Sequence, residues 1–155
     1  KVIRFRTFSK AYGMAGARIG YAVGVAGLIK AFDKIRNHFG VNRIAQIGAL
    51  ASLNDPDHIP DVTARVAAAR DRIAEIAAAS GLAALPSATN FVAIDCGKDG
   101  DFARKVLSGL SSQGIFVRMP GVAPQDRCIR VSAGRPADLD AFAAALPAAL
   151  DKAKE

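Results

Sequence analysis

The sequence predicts an α/β fold in which strands and helices alternate and the last part of the chain forms a two-layer lobe. Three observations lead to this prediction: a period-two pattern in residues 2–8, a long helical repeat of apolar residues that ends at Gly81, and a strand, helix, strand, strand, helix order after that glycine. Apolar residues make up 51% of the 155 positions, which supports a folded globular chain.

Short elements fill the first third of the chain. Asn42 is expected to cap a helix that runs to residue 53, with Ile44, Ile47 and Ala51 in one apolar stripe. The elements predicted before this helix are a strand over 2–8, a turn over 11–17 that is rich in Gly and Ala, a strand over 19–23 and a helix over 26–37.

A long helix is predicted next. Pro56 follows Asn54 and Asp55 and suits the first helical position, because the N–H that proline lacks is not needed there. Apolar residues then recur at spacings of three and four until Gly81, which offers a left-handed stop.

The last lobe contains the remaining predicted elements. Pro147 is expected to kink the final helix or end it early, because proline removes a helical hydrogen bond. In chain order, the elements are a strand over 90–95, a helix closed by Gly114, short strands over 115–119 and 128–132, and a helix over 139–150.

The charge balance of 21 basic and 14 acidic residues gives +7. The basic residues are spread along the chain and aromatic residues are only 6%, so a cleft for anionic small molecules explains this excess without nucleic-acid binding. Cys96 and Cys128 are predicted to be buried thiols, and His38 and His58 to be solvated positions in loops or at helix ends, so no metal site is expected. No apolar run approaches the ~20 residues of a membrane helix, and a cytoplasmic location is expected.

The stretch FRTFSKAYGMAGARIGY places Lys10 at the end of a strand, after a hydroxyl residue and before small residues. An amine in such a position becomes a nucleophile toward carbonyls if burial or a neighbouring cation lowers its pKa, and Arg18 could be that cation while it holds a phosphate. Gly13 and Gly16 permit close backbone approach. The residues alone leave open a second interpretation, in which Lys10 and Arg18 are solvated surface charges.

SKAYGMAGARIGY resembles the Schiff-base segment of fold-type I pyridoxal-phosphate enzymes, most closely the class I/II aminotransferases and their histidinol-phosphate aminotransferase-like branch. The resemblance continues in chain order through NRIAQIGALASLND, PSATNFVAID and CIRVSAGRPADLDAF. It implies that Lys10 forms the Schiff base with pyridoxal 5'-phosphate and carries the proton between the substrate Cα and the cofactor. It also implies that Ser9 and Arg18 bind the cofactor phosphate and that Arg130 holds the substrate carboxylate.

Arg118 adds a hypothesis to this set. If residues 115–119 and 128–132 pair as antiparallel strands, Arg118 and Arg130 lie near each other on one face. Like charges at such positions destabilise a sheet unless an anion lies between them, so the two arginines are expected to share a substrate carboxylate or phosphate. The alternative is that the Arg118 side chain extends into solvent.

The resemblance also implies a domain organisation. Residues 1–55 would be the end of the large domain with the end of its sheet, 56–81 a connecting helix, and 82–155 a small α+β two-layer domain. In the family the lysine segment lies past the middle of the chain, so the sequence is expected to be a C-terminal portion that is inactive by itself. The resemblance further implies a homodimer that acts on small-molecule amino acids and 2-oxo acids, with no nucleic-acid or membrane partner.

Two other functions remain open. One keeps the fold and changes the reaction to decarboxylation, as in the threonine-phosphate decarboxylase relatives. The other is a non-catalytic basic α/β module that binds nucleic acid or a regulatory partner. Lys10 does not separate transamination from decarboxylation, because the pocket geometry decides which substrate bond breaks.

Overall fold

A computed structural model describes residues 2–155, which form two compact units that meet between Thr63 and Ala64. This boundary falls inside one long helix. The division into residues 1–55, 56–81 and 82–155 stays a prediction. The first unit contains β1 (Ile3–Thr7), β2 (Gly20–Gly24), α1 (Ala26–Ala31), α2 (Arg43–Leu53) and the start of α3 (His58–Ala79), and the second contains the rest of α3, β3 (Ala83–Ala84), β4 (Phe91–Asp95), α4 (Gly100–Ser112), β5 (Cys128–Ser132) and α5 (Pro136–Lys154).

The strands predicted over 2–8 and 19–23 are both present, and they form an antiparallel pair. Ile3 lies opposite Gly24 and Thr7 lies opposite Gly20. A Cβ at Gly20 would lie only 2.6 Å from the carbonyl oxygen of Arg6, so the close approach of the strands requires glycine there.

The helix predicted over 26–37 is wrong in length. α1 ends at Ala31 and a 3-10 turn follows at Phe32–Lys34. Phe32 contacts Phe5 edge to face at 6.3 Å, but Ile35, one turn further along, is 82% exposed. Among the described residues, little packs against the apolar face of this helix beyond Phe32. A short helix depends on packing of its apolar face, so the helix ends early.

The cap predicted for α2 is confirmed, because Asn42 Oδ1 accepts a hydrogen bond of 2.8 Å from the Ala45 N–H. The predicted apolar stripe is not the packed face, however, since Ile44 and Ile47 are 84% and 61% exposed. α2 packs instead through small residues, among them Ala45 and Ala49, which are buried.

The long helix α3 begins at His58 and not at Pro56, which corrects the predicted start. Pro56 lies in the turn before the helix, and Asp55 Oδ1 accepts from the His58 N–H at 3.2 Å. At the other end the Leu82 N–H donates to the Ala77 carbonyl at 2.9 Å, and Gly81 has a φ of 72°, so the left-handed stop is confirmed.

The second unit is a three-stranded antiparallel sheet, in the order β3-β4-β5, with helices against one face. The sheet residues of the buried face share the core with α4 and α5, and they are Val92, Ile94, Ile129 and Val131. Gly109 lets α4 approach α5 closely, because a Cβ there would lie 3.1 Å from Ala149 Cβ. The predicted two-layer lobe is confirmed.

One predicted element of this unit is wrong. Residues 115–119 form no strand and contribute only an isolated bridge at Arg118, because Phe116 is 80% exposed and Pro120 and Gly121 follow. Pro147 does not end α5 early, because the helix continues to Lys154, and the alternative of a kink at Pro147 stays a prediction. The buried residues that follow Pro147 belong to the core, and their packing offsets the ~3 kcal/mol cost of proline in a helix. The short strand β3 had no recognisable pattern.

Both cysteines are buried free thiols, as predicted, with 3% exposure at Cys96 and 5% at Cys128. Burial raises the pKa of the Cys96 thiol to about 11 and also raises the pKa of Cys128, so both are held as protonated, unreactive thiols near neutral pH. Within residues 2–155, no helix has the length and apolar character needed to cross a bilayer.

Candidate active site

Lys10 lies on a closed loop, residues 8–19, that connects β1 and β2 and is called here the Lys10 loop. At its base the buried Phe8 donates its N–H to the Ile19 carbonyl at 3.2 Å and accepts from the Met14 N–H at 2.9 Å. The Gly13 N–H donates to the Lys10 carbonyl at 2.8 Å, with a φ of 68° at Gly13. These bonds fix the backbone of Lys10 while its side chain is exposed.

Two aromatic rings of this loop, Phe8 and Tyr12, pack together with the ring of His58. The Tyr12 ring lies 4.7 Å from the ring of Phe8 and stacks on the imidazole of His58 at 5.9 Å. His58 Nε2 lies 2.9 Å from the Ala11 carbonyl oxygen. Because a carbonyl only accepts, Nε2 carries the proton and donates it. His58 is therefore partly buried and holds the Lys10 loop, whereas a solvated helix end was predicted.

Ser9 and Arg18 emerge from the same loop as Lys10. The Ser9 N–H donates to Thr7 Oγ1 at 3.1 Å. The Ser9 hydroxyl itself forms no hydrogen bond with any of residues 2–155. Arg18 has the left-handed backbone angles φ 53° and ψ 50°, which are uncommon outside glycine and cluster at functional sites. Its Nη1 donates to the Ala15 carbonyl at 2.6 Å, and within the described chain no carboxylate pairs with it.

The chemistry of the Lys10 loop suits a ligand that carries an anion and a carbonyl group. A hydroxyl, an amine and a guanidinium stand on one rigid loop, and a Cβ added at Gly13 or Gly16 would meet no atom within 4 Å. The O–H group of a hydroxyl and the N–H groups of a guanidinium are strong hydrogen-bond donors to phosphate oxygens. The loop thus has both donors and space.

The second unit holds Arg118 and Arg130, and the structure brings them together. The Arg118 N–H donates to the Arg130 carbonyl at 3.2 Å, and the Arg130 N–H donates to the Arg118 carbonyl at 2.6 Å. Residues that exchange both hydrogen bonds in an antiparallel bridge lie opposite each other with their side chains on the same face. The predicted proximity is confirmed, although the predicted strand around Arg118 is not.

Each arginine of this pair lies near one aromatic ring. The Cζ of Arg130 lies 4.7 Å from the ring centre of Phe91, and the Cζ of Arg118 lies 6.0 Å from that of Phe116. Neither arginine forms an ion pair with a carboxylate of residues 2–155. Other arginines of this unit do form such pairs, and they are Arg72, Arg104, Arg127 and Arg135. The pair is thus an uncompensated double positive charge on a half-exposed sheet face.

The contact of Phe91 with Arg130 was not predicted from the sequence. The alternation of β4 contains the signal, since Phe91 and Ala93 fall on the face opposite the buried Val92 and Ile94. Met14 does pack inside the first unit, where a Cβ at Gly48 would lie 2.8 Å from its Cε.

The fold places the chain among the fold-type I pyridoxal-phosphate-dependent transferases, as part of that fold. The profile of the family described as "Aminotransferase class I and II" matches residues 1–146. The chain belongs to this family.

Individual relatives agree with this assignment. The chain is 38% identical over 149 residues to a histidinol-phosphate aminotransferase of Ralstonia nicotianae, and the match covers 96% of this chain and 40% of that protein. It is 40% identical over 117 residues to an aromatic amino acid aminotransferase of Corynebacterium diphtheriae, covering 76% of this chain and 33% of that protein. The chain spans about two fifths of the length of the first of these relatives and about a third of the second.

Among solved structures, the histidinol-phosphate aminotransferase of Sinorhizobium meliloti in complex with pyridoxal-5'-phosphate matches with a TM-score of 0.92 and 59% identity. The match covers 97% of this chain and 41% of that one. A threonine-O-3-phosphate decarboxylase of Porphyromonas gingivalis matches with a TM-score of 0.76 but only 23% identity, which shows the fold alone.

Proposed function

We propose that the chain is the C-terminal portion of a pyridoxal-phosphate-dependent aminotransferase that moves an amino group between an L-amino acid, or an amino phosphate such as histidinol phosphate, and a 2-oxo acid. The observation that carries this proposal is the exposed Lys10 side chain on a hydrogen-bonded loop that also carries Ser9 and Arg18. Family membership supports the reaction class.

The residues present fit this cofactor. Ser9 Oγ and the free N–H groups of Arg18 would hold its phosphate, because a hydroxyl and a planar guanidinium match phosphate oxygens. Lys10 Nζ would hold its aldehyde carbon covalently. The space beside Gly13 and Gly16 admits a ligand against the backbone.

When bound, pyridoxal phosphate supplies an electron sink for the bond that breaks at the substrate Cα. Once the substrate amino group has displaced it, Lys10 Nζ would act as the base that takes the proton from the substrate Cα and later returns it. The backbone hydrogen bonds that close the Lys10 loop would hold the Lys10 backbone in place for this role.

Arg130 and Arg118 would bind the substrate. Arg130 holds the α-carboxylate through paired N–H groups, and Arg118 shares that carboxylate or holds a second anionic group, such as a phosphate, beside it. The amino donor is left open, because His38-Phe39-Gly40 stands where the histidinol-phosphate branch commonly has an aromatic residue followed by asparagine.

The test uses the complete enzyme and pyridoxal phosphate. We expect a visible absorption band on mixing and, after borohydride reduction, a stable pyridoxyl group on Lys10 found by mass spectrometry of the peptide. Lys10→Ala should lose both signals, and Lys30→Ala should keep them. If the wild type shows no band, or if the band persists in Lys10→Ala, the protein is better described as a non-catalytic basic module.

Product analysis separates transamination from decarboxylation. An aminotransferase converts the amino donor to its 2-oxo acid without release of CO₂, whereas a decarboxylase releases it. The relatives reported above at 38% identity or more are named aminotransferases, which favours transamination. We also propose that the complete enzyme is a homodimer, as the resemblance implies. Sedimentation of the complete enzyme tests this, and a monomer would contradict it.

A further inference from the structure

We propose that Phe91 is a positioning residue for Arg130, whose guanidinium it holds by a cation–π contact in place of a carboxylate. This inference rests on the proposed role of Arg130 in binding a substrate carboxylate. It assigns a function to a side chain that resembles ordinary core in the sequence.

The sheet register brings the ring and the guanidinium together. Arg130 lies opposite Ala93, and Phe91 lies opposite Ser132, so Phe91 is the diagonal neighbour of Arg130 on the same face. The Cζ of Arg130 is 4.7 Å from the ring centre, well within the ~6 Å at which a cation and an aromatic face attract each other. Both side chains are half-buried.

An aromatic ring suits the position beside Arg130 better than a carboxylate does. An acidic partner would occupy the N–H groups of Arg130 and neutralise the charge that an incoming carboxylate needs. A ring face orients the guanidinium plane and leaves the N–H groups at its edge free, because the attraction acts through the face of the cation. The arginine stays both fixed and available.

The backbone under the ring is itself fixed. The Phe91 carbonyl accepts from the Thr89 hydroxyl at 3.2 Å and also from the Ser87 hydroxyl. The Thr89 carbonyl in turn accepts from Arg70 Nη1 at 3.1 Å. The Ala133 N–H donates to the Asn90 carbonyl at 2.9 Å, which ties the start of β4 to the end of β5. Phe91 thus sits on a backbone that is bonded on both sides.

Phe116 offers a matched comparison. Its ring centre lies 6.0 Å from the Cζ of Arg118, and the residue is 80% exposed. Water screens such a contact, so it should contribute little. The same substitution at Phe91 and Phe116 therefore separates a positioning role from a general effect of removing an aromatic ring near an arginine.

The experiment measures the dissociation constant of glutarate, which has carboxylates but no reacting amine or carbonyl, in the complete pyridoxal-phosphate-loaded enzyme. Phe91→Leu should weaken glutarate binding by about threefold to thirtyfold, which corresponds to ~0.7–2 kcal/mol and lies within the range of such contacts. Phe91→Tyr, which keeps the ring face, should bind within about twofold of the wild type. Phe116→Leu should also stay near the wild type, and the cofactor absorption band should not change in any variant.

Arg130→Leu distinguishes failure of the inference from failure of the proposed function. If Arg130→Leu weakens glutarate binding but Phe91→Leu does not, or if Phe91→Tyr is as weak as Phe91→Leu, the positioning role of Phe91 is wrong. If Arg130→Leu binds as the wild type does, or if the wild type binds no glutarate at millimolar concentration, Arg130 is not the carboxylate anchor and the inference falls with it.

Discussion

The backbones of Arg118 and Arg130 exchange two hydrogen bonds, of 3.2 Å and 2.6 Å, so two cationic side chains are held opposite each other on one sheet face. Two like charges in such a pair repel each other. Within the described residues no carboxylate neutralises them. An anion between the two guanidinium groups would relieve this repulsion, so in the site we propose, the stability of the bridge would depend on substrate binding.

Arg118→Ala tests this connection. We expect the variant to bind glutarate about tenfold to a hundredfold more weakly, because a hydrogen bond to a charged group contributes ~1.5–3 kcal/mol. Without ligand, the same variant should unfold at an equal or slightly higher temperature, since the repulsion is gone.

The control for Arg118 is Arg104→Ala, which removes an arginine of the same unit that pairs with Asp101 on the surface. It should change glutarate affinity little. An unchanged affinity in Arg118→Ala would show that the Arg118 side chain extends into solvent and has no part in the site.

The proximity of these arginines was predictable from the sequence, but the structure that creates it was not. Two short apolar segments around a loop with Pro and Gly indicated the pairing of Arg118 with Arg130. Periodicity did not reveal that only one residue of 115–119 would join the sheet, because exposure of Phe116 depends on what the fold places beside it. A pattern identifies apolar residues but not the surfaces that they meet.

The same limit explains the errors in the helices. Ile44 and Ile47 form the stripe that the pattern predicts, yet α2 packs by Ala45 and Ala49, since small side chains allow the closest approach. The contact between His58 and the Lys10 loop was also beyond sequence reasoning, because it joins residues 47 positions apart through a ring nitrogen and a backbone carbonyl.

His58→Ala should loosen the Lys10 loop without unfolding the protein. The variant loses the hydrogen bond to the Ala11 carbonyl and the stack on Tyr12. A hydrogen bond contributes ~1 kcal/mol, so the Gly13 and Met14 amides, which close the loop, should exchange with deuterium about fivefold faster. His38→Ala, at an exposed turn position, is the control and should leave these amides unchanged. Equal exchange in His58→Ala and the wild type would contradict the supporting role.

Gly20→Ala should destabilise the β1/β2 pair. The added Cβ would lie 2.6 Å from the Arg6 carbonyl oxygen, which is backbone and cannot move without shifting a strand. We expect a loss of about 1–3 kcal/mol, the usual cost of overpacking, measured as a lower denaturation midpoint. Gly16→Ala introduces the same methyl group where no atom lies within 4 Å, and it should change the midpoint little. Similar midpoints for the two variants would show that the strand approach at Gly20 is not tight.

Asp95 and Arg127 should make the second unit sensitive to acid. Burial alone would raise the pKa of Asp95, but the Gly97 N–H and the Arg127 guanidinium, at 2.9 Å, together lower it below the ordinary value of 3.8. A carboxyl group with a lowered folded-state pKa stabilises the fold above its unfolded pKa, and this stabilisation is lost as the pH falls through the folded-state pKa. Asp95→Asn, which imitates the protonated acid, should therefore be less stable than the wild type at pH 7, and the difference should shrink below about pH 4. Denaturant unfolding of both proteins between these pH values measures this difference.

Asp140→Asn is the control, because its carboxylate is 70% exposed and lies 3.7 Å from Arg72, so its removal should have little effect at either pH. A stability difference for Asp95→Asn that stays constant from pH 7 to pH 3 would show that the ionised carboxylate does not stabilise this unit.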